Sequence, residues 1–403
     1  MIRRRWIFVA AWGALFVVAL SSGVDILFYV AYLLAFLVGA TWWWTRSSIS
    51  SMRVKRDVSQ GYVHLGDEIE LTYELANDSR LGKIWLEVYE ESNWPEPLPG
   101  RVLSIGAFAT KRWKVAVPAL RRGRFHLGPV VIRSGDPFGI FSAEYRARYD
   151  ALVLVYPRVV PLPYWQLPGS LLEGSVLTGR RSLQATSMVM GIRDYRPGDA
   201  FNHIHWKTSA RHRSLQVKEF ELDRTADLWI FLDLERRWHT GEGERSTEER
   251  AVTIAASVIA KALREHRTVG LVASGRSSGL FPPDRGMKQF SKLMQYLAEV
   301  SAGGSRSIAE TMVETLPRLR RGASALVISP SLDKEWVKPV LALRESGVRI
   351  QACLIAGEDV DDAARAKLNA VVGDLLLGGI PYALSTSELP ISELFHERVT
   401  ASA

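Results

Sequence analysis

The chain has 403 residues, of which 47% are hydrophobic and 23% charged, with 51 Lys+Arg against 43 Asp+Glu and a formal net charge of +8. That is globular composition, with length for two or three domains. A single cysteine, Cys353, excludes an internal disulfide and a thiolate metal cluster and fits a reducing compartment; its place in the run VRIQACLIA predicts a buried structural thiol.

Two uncharged apolar stretches open the chain, Trp6 to Leu20 and Ile26 to Trp44. A helix needs about 20 residues to cross a bilayer core. With only SSGVD between them, the two predict a tight transmembrane helical hairpin over residues 1–46. Arg3, Arg4 and Arg5 precede it and Arg46, Arg53, Lys55 and Arg56 follow it, while the connecting loop carries Asp25 and no basic residue. The positive-inside bias then puts both termini and the soluble domains in the cytoplasm, with Trp42, Trp43 and Trp44 at the inner interface. A signal peptide is the rival, but a second span follows at once and no A-x-A cleavage site precedes a mature start.

Residues 47–160 change character. DEIELTYEL (Asp67 to Leu75), KIWLEVYE (Lys83 to Glu90), RWKVAVPAL (Arg112 to Leu120) and RFHLGPVVIR (Arg124 to Arg133) alternate apolar and polar residues between turn signals. Short alternating runs predict half-buried strands and an antiparallel β-sandwich, read as a spacer or interaction module.

Residues 161–225 begin as a Pro/Gly/Ser-rich stretch, expected to be an extended linker, and continue as a basic arm, GIRDYRPGDAFNHIHWKTSARHRSLQVKEFELD (Gly191 to Asp223). Pro197-Gly198-Asp199 predicts a turn, and Leu215 to Leu222 a strand. His203 and His205, read as sharing one strand face, with Asp199 nearby, are a candidate metal set. Interleaved acids (Asp194, Asp199, Glu219, Glu221) argue against a nucleic-acid surface and for an ion-pair network that docks the arm on its own domain or on a partner.

From residue 226 to 403 buried apolar runs alternate with helical periodicity. Strands are expected at Leu228 to Leu234, Thr268 to Ala273, Ala323 to Ser329, Val348 to Ala356 and Pro381 to Leu384. Helices are expected between them, and a last one after the final strand. The pattern predicts a doubly wound, mostly parallel sheet, whose ligands bind outside the strands' carboxyl ends. Asp233 stands at the first such end, with Glu235, Ser274, Ser329, Ser331 and Asp333 at others, and is the one candidate here for a bound cation. Gly275-Arg276-Ser277-Ser278-Gly279 matches the nucleophile-elbow string, but such an elbow passes directly into a helix. Leu280-Phe281-Pro282-Pro283 reads as loop, so the hydrolase reading falls behind.

The ordered string RDYRPGD (Arg193 to Asp199), WKTSAR (Trp206 to Arg211), LQVKEF (Leu215 to Phe220) and a buried strand ending in Asp233 resembles a bacterial family catalogued as domain of unknown function fifty-eight. RRGRFHLGPV (Arg121 to Val130), DPFGIF (Asp136 to Phe141) and VYPRV (Val155 to Val159) extend the likeness upstream. The resemblance implies a membrane-anchored protein whose last region is similar to a von Willebrand factor A domain, acting with a MoxR-type AAA+ ATPase as adaptor or assembly factor. A metal-binding site of that kind implies Asp-x-Ser-x-Ser at the first strand end. Here Asp233-Leu234-Glu235-Arg236-Arg237 stands there, and Ser329-Pro330 occupies the position of a further expected Asp.

The expectation is therefore a non-enzymatic adaptor in the bacterial inner membrane, without cofactor, contacting the bilayer and a MoxR-type ATPase. Its motif set is Arg193, Tyr195, Pro197, Gly198, Asp199, Trp206, Ser209, Arg211, Lys218 and Glu219. The alternatives are a divalent-cation-dependent binding protein using Asp233 and, behind it, a hydrolase.

Overall fold

The computed structural model describes residues 2–166, 189–195, 204–212, 214–220, 227–276, 278–357 and 361–396. The chain divides into two units, Met1–Pro157 and Arg158–Ala403.

The first unit opens with helices α1 (Ile2–Ser22) and α2 (Asp25–Ile49). Only Gly23 and Val24 join them, a tighter turn than the five residues expected, and Gly23 sits at φ 64°, a conformation that glycine adopts without steric cost. The helices pack as a hairpin: the Trp12 indole N–H donates to the Ala31 carbonyl at 2.9 Å, and Phe16 meets Phe28 edge-on. Among the described residues α2 is the helix long and apolar enough to cross a membrane.

Two residues after α2 the chain enters a two-sheet sandwich. Its strands are β1 (Met52–Val58), β2 (Tyr62–His64), β3 (Glu68–Asn77), β4 (Lys83–Ser92), β5 (Arg101–Ile105), β6 (Thr110–Pro118), β7 (Gly123–Gly135), β8 (Ser142–Ala147) and β9 (Ala151–Tyr156). One sheet has the order β1-β3-β6; the other has β2-β9-β7-β4-β5, with β8 also on β7. Alternation decides which face is inward. Ile69, Leu71, Tyr73 and Leu75 of β3 are buried while their neighbours are more exposed, and they share one core with Leu86 and Val88 of β4 and Val153 and Val155 of β9. Four of these strands carry the alternating runs read in the sequence. β1, β2, β5, β8 and β9 were not anticipated; most are short, and β9 is apolar without clear alternation.

The second unit holds a small β-ribbon, β10 (Val189–Asp194) with β11 (Gln216–Phe220), enclosing α3 (Trp206–His212). It continues as a six-stranded sheet of order β14-β13-β12-β15-β16-β17, from β12 (Leu228–Leu232), β13 (Val269–Ser274), β14 (Ser278–Asp284), β15 (Ser324–Ser329), β16 (Arg349–Ile355) and β17 (Tyr382–Ser385). All pairs are parallel except β13 with β14. Helices α4 (Thr247–Arg264) and α5 (Met287–Glu299) pack together, while α6 (Ile308–Thr315), α7 (Val337–Glu345) and α8 (Asp362–Leu377) share a core with Trp229, Phe231, Ala325 and Val327 of the sheet. Strands β12, β13 and β15 are buried along their whole length, as continuous apolar runs require. Helix starts follow local chemistry: the Ser246 and Ser307 hydroxyls accept from the Glu249 and Glu310 amides at 3.1 and 3.2 Å.

Three expectations change. Leu280 to Pro283 form part of β14, which pairs antiparallel with β13; its two prolines are tolerated because it is an edge strand. Among the described residues after β17 there is one turn of 3-10 helix, Ile391–Glu393, where a terminal helix was expected. Residues 161–166, read as linker, lie against α4: the Val160 amide donates to Ser257 Oγ at 2.9 Å, and Lys261 Nζ donates to the carbonyls of Leu162 and Trp165 at 2.6 and 2.5 Å. The buried Trp165 ring explains why this segment is held. Cys353 is fully buried in β16, and burial pushes its thiol up to about 12, as an inert structural thiol requires.

Candidate functional site

Strand order locates the first site to examine. From β12 the chain crosses to β13 and β14 on one side, then returns to add β15, β16 and β17 on the other. The reversal lies between β12 and β15, and crevices at such points, outside the carboxyl ends of the strands, are where open α/β sheets bind ligands.

Asp233 is the first residue beyond β12 and is fully buried. Its amide donates to the Ile328 carbonyl at 2.9 Å, continuing the β12–β15 ladder. Its carboxylate bridges the reversal: Ser329 Oγ donates to Oδ2 at 2.6 Å, and the Glu235 amide donates to Oδ1 at 3.1 Å. Its own carbonyl lies 3.0 Å from His239 Nε2. A carbonyl can only accept, so Nε2 carries the proton, and Nδ1 faces Thr247 Oγ1 at 3.1 Å. Burial raises the Asp233 pKa from the ordinary 3.8 to about 6; the Ser329 and Glu235 hydrogen bonds and Arg237 oppose the rise, and the Glu235 charge adds to it.

The β15 loop is a staircase of side-chain caps. Ser329 Oγ accepts from the Ser331 amide at 2.9 Å, Ser331 Oγ from the Asp333 amide at 3.2 Å, and Asp333 Oδ1 from the Glu335 amide at 3.0 Å. Every second residue turns the chain, which is what Ser and Asp side chains do when they bond two residues on. At the mouth Arg237 spans two acids: Nε lies 2.5 Å from Glu235 Oε1 and Nη2 3.7 Å from Asp333 Oδ2. Its guanidinium also stands 5.0 Å from the Trp238 ring. On the other side Glu235 forms a parallel bridge with Gly304, and the Arg236 amide donates to the Gly304 carbonyl at 3.1 Å. Glycine is required at 304, because a Cβ there would stand 2.1 Å from the Ser274 carbonyl oxygen. The buried Ser274 Oγ has no hydrogen-bond partner among the described residues.

A divalent cation needs several oxygens converging with charge to spare. Here both Asp233 oxygens accept hydrogen bonds, and Glu235 and Asp333 are ion-paired to Arg237. The donor set does not suit a metal as arranged; the guanidinium supplies the positive charge. The nucleophile-elbow string leads into the antiparallel strand β14 at Ser278 and not into a helix; Ser277 lies outside the described residues.

The motif set from the sequence forms a second cluster. β10 and β11 pair antiparallel with Arg193 opposite Val217, Ile192 opposite Lys218 and Gly191 opposite Glu219, so Arg193, Lys218 and Glu219 share one ribbon. The Tyr195 amide donates to the Leu215 carbonyl at 2.8 Å. Ser209, buried on α3, accepts from the Gln216 amide at 2.9 Å and pins that helix to β11. Trp206 and Arg211 are exposed on α3. Pro197, Gly198 and Asp199 lie outside the described residues, as does His203. His205 does not share a strand face: it precedes α3, where Nδ1 accepts from the Thr208 amide at 3.2 Å, so it works as a helix cap in place of a metal ligand. The ribbon's side-chain link, Gln216 Nε2 donating to Asp194 Oδ1, was missed; Asp194 entered the sequence reading only as one acid among several.

Residues 191–374 match the model of a family described as protein of unknown function DUF58. The match begins at the ribbon and ends inside α8, so it takes in both clusters. Uncharacterized protein YeaD of Bacillus subtilis is 24% identical over 327 residues, covering 78% of each chain. Uncharacterized protein Rv1480 of Mycobacterium tuberculosis is 25% identical over 157 residues, 37% of this chain and 49% of its own length. Among solved structures, the CARDB domain of a Pyrococcus furiosus protein matches 26% of this chain and 94% of its own at 12% identity, with a TM-score of 0.20. The C-terminal domain of Wzt reaches a TM-score of 0.22 at 10% identity over 27% of this chain and 75% of its own. Both scores are too low to carry an argument about fold.

Proposed function

We propose that this chain is a non-enzymatic adaptor, anchored in the bacterial inner membrane by the α1–α2 hairpin, that holds a protein partner at the strand-carboxyl ends of its α/β unit. The observation that carries the reading is Arg237 bridging Glu235 and Asp333 at the reversal of strand order. A half-exposed guanidinium balanced between two of the chain's own acids can exchange one of them for a partner's carboxylate with little change in local charge. The sheet's order and its site at the strand ends support the likeness to a von Willebrand factor A domain, and the resemblance of the motif string supports a MoxR-type AAA+ ATPase as the partner. The basic residues flanking the hairpin support cytoplasmic termini, although Arg56 is withdrawn from that count by its burial in the sandwich.

The test is binding of the full chain, in nanodiscs, to a MoxR-type AAA+ ATPase of the same organism, in the ATP and ADP states. Binding in one state, weakened about tenfold or more by Arg237→Glu, is expected, a loss of about 1.4 kcal/mol or more. Absence of binding in both states to every MoxR-type ATPase of that organism overturns the reading.

A further inference from the structure

The end of the sandwich at which α2 arrives gathers three loops. Met52 of β1 pairs with Asn77 of β3, Thr110 of β6 with Ala76, and Ile105 of β5 with Lys83 of β4. The register of β4 with β7 brings Gly135 to the same level. Three loops therefore cluster where the chain leaves α2: residues 78–82, 106–109 and 136–141. α2 packs against β7 and β8, and Lys83 Nζ donates to the Ser47 carbonyl in the last turns of α2. Each loop tip carries a large apolar side chain facing solvent: Leu81, Phe108 at 68% exposure and Phe138 at 61%. Ile84, at 70%, and Trp85 follow the first of them.

These tips are held rigidly. The Asn77 side-chain amide donates to the carbonyls of Leu81 and Gly106 at 2.9 and 2.8 Å, and the Phe108 amide donates to the Ser79 carbonyl at 3.2 Å. Buried Asp136 accepts from the Phe138 amide at 2.7 Å and also from the Phe141 amide. Phe108 is held at φ 51°, a left-handed conformation that a bulky residue adopts only at a cost. Nothing inside the sandwich rewards that strain, since the ring points out of the core. Arg80 and Lys111 are exposed beside the tips.

We infer that this end of the sandwich is a bilayer-contact surface. Leu81, Phe108 and Phe138 enter the interfacial region, Trp85 lies at headgroup level, and Arg80 and Lys111 meet anionic headgroups. The inference rests on the anchor reading, because it is continuity with α2 that brings these loops to the lipid. It makes the sandwich a second foot on the membrane, lying on the bilayer beside its anchor.

The test uses the full chain with Cys353→Ser, in nanodiscs of equal parts phosphatidylcholine and phosphatidylglycerol, spin-labelled singly at Leu81→Cys, Phe108→Cys or Phe138→Cys. Controls are Leu120→Cys at the opposite end and Val30→Cys within α2. Power saturation against oxygen and a water-soluble nickel chelate reads depth. Oxygen-favoured, nickel-protected labels at 81, 108 and 138, with 120 aqueous, are expected. If Val30 reads in the bilayer core while the three tips are as nickel-accessible as 120, the contact surface is overturned and the anchor stands. An aqueous Val30 removes the anchor reading, and this inference with it.

Discussion

Arg56, within β1, and Arg237, just beyond β12, each hold a carboxylate, yet they sit in opposite surroundings. Arg56 lies inside the sandwich: its side chain is 2% exposed, it pairs with Glu90 and donates to the Gly128 carbonyl at 3.1 Å, and Tyr73 donates to the other Glu90 oxygen at 2.6 Å. Burial pushes the Glu90 carboxyl up in spite of Tyr73 and Arg56, and it raises the Tyr73 phenol. Arg237 is 56% exposed and shared between Glu235 and Asp333. A closed pair exists to satisfy its own members; an open one has donors that an incoming group can use. The same two residue types thus serve structure in one unit and are available for recognition in the other, and burial alone separates the roles.

The largest effect expected from this contrast is at Arg56. Arg56→Ala leaves Glu90 charged in the core without its partner, a loss of about 3–5 kcal/mol. Thermal unfolding of the full chain in nanodiscs should display a large drop in the midpoint of the sandwich transition. Arg56→Met with Glu90→Gln should recover most of it, because Gln still accepts from Tyr73 and no charge remains. A double variant as unstable as the single one would mean that the pair does more than cancel its own burial cost.

Asp233 comes next, and here pH is the instrument. Its folded pKa, about 6, lies above the ordinary 3.8, so between those values the folded state holds the extra proton. Stability from this group is then fully present below about pH 4, declines as pH rises to about 6, and is flat above. Asp233→Asn has no such group. Relative to the variant, the native chain should lose up to about 3 kcal/mol across that window, since each pKa unit is worth about 1.4 kcal/mol. Unfolding titrations at pH 4, 5, 6 and 7 measure it; a difference constant with pH would place the buried charge elsewhere.

Much of this was legible in the sequence, and the losses have a common cause. Two apolar runs with a short link announced the hairpin, and buried strands alternating with helices announced the sheet, because both signals are local and span many residues. Asp233 could be placed at a strand end for the same reason. Its partner Ser329 lies 96 residues away, and only the β12–β15 register brings the two together. Arg56 looked like a membrane-flanking charge until the pairing of β1 with β3 put it opposite Tyr73 and the packing of the two sheets brought it to Glu90 of β4, 34 residues on. Short strands such as β5 carry too few residues for alternation to be seen. The prolines of β14 hid a strand, because the tolerance of an edge is a property of the assembled sheet.

The smallest stability effect, and the sharpest test of the open pair, is at Arg237. Arg237 is 56% exposed and Glu235 8%, so the pair lies between a surface pair, worth about 0–1 kcal/mol, and a closed one, and Arg237→Gln should lower the melting temperature by clearly less than Arg56→Ala. What it should change is the chemistry of the crevice. Removing the guanidinium leaves Glu235 and Asp333 unneutralised near Asp233, Ser329 and Ser331, which is a better oxygen set for a hard cation. The native chain is expected to respond little to millimolar Mg²⁺ or Ca²⁺ in thermal unfolding, and the variant to gain a cation-dependent rise in midpoint. A rise of equal size in both chains would mean that the cation reaches Asp233 without displacing Arg237, and the guanidinium would then lose its part in the site.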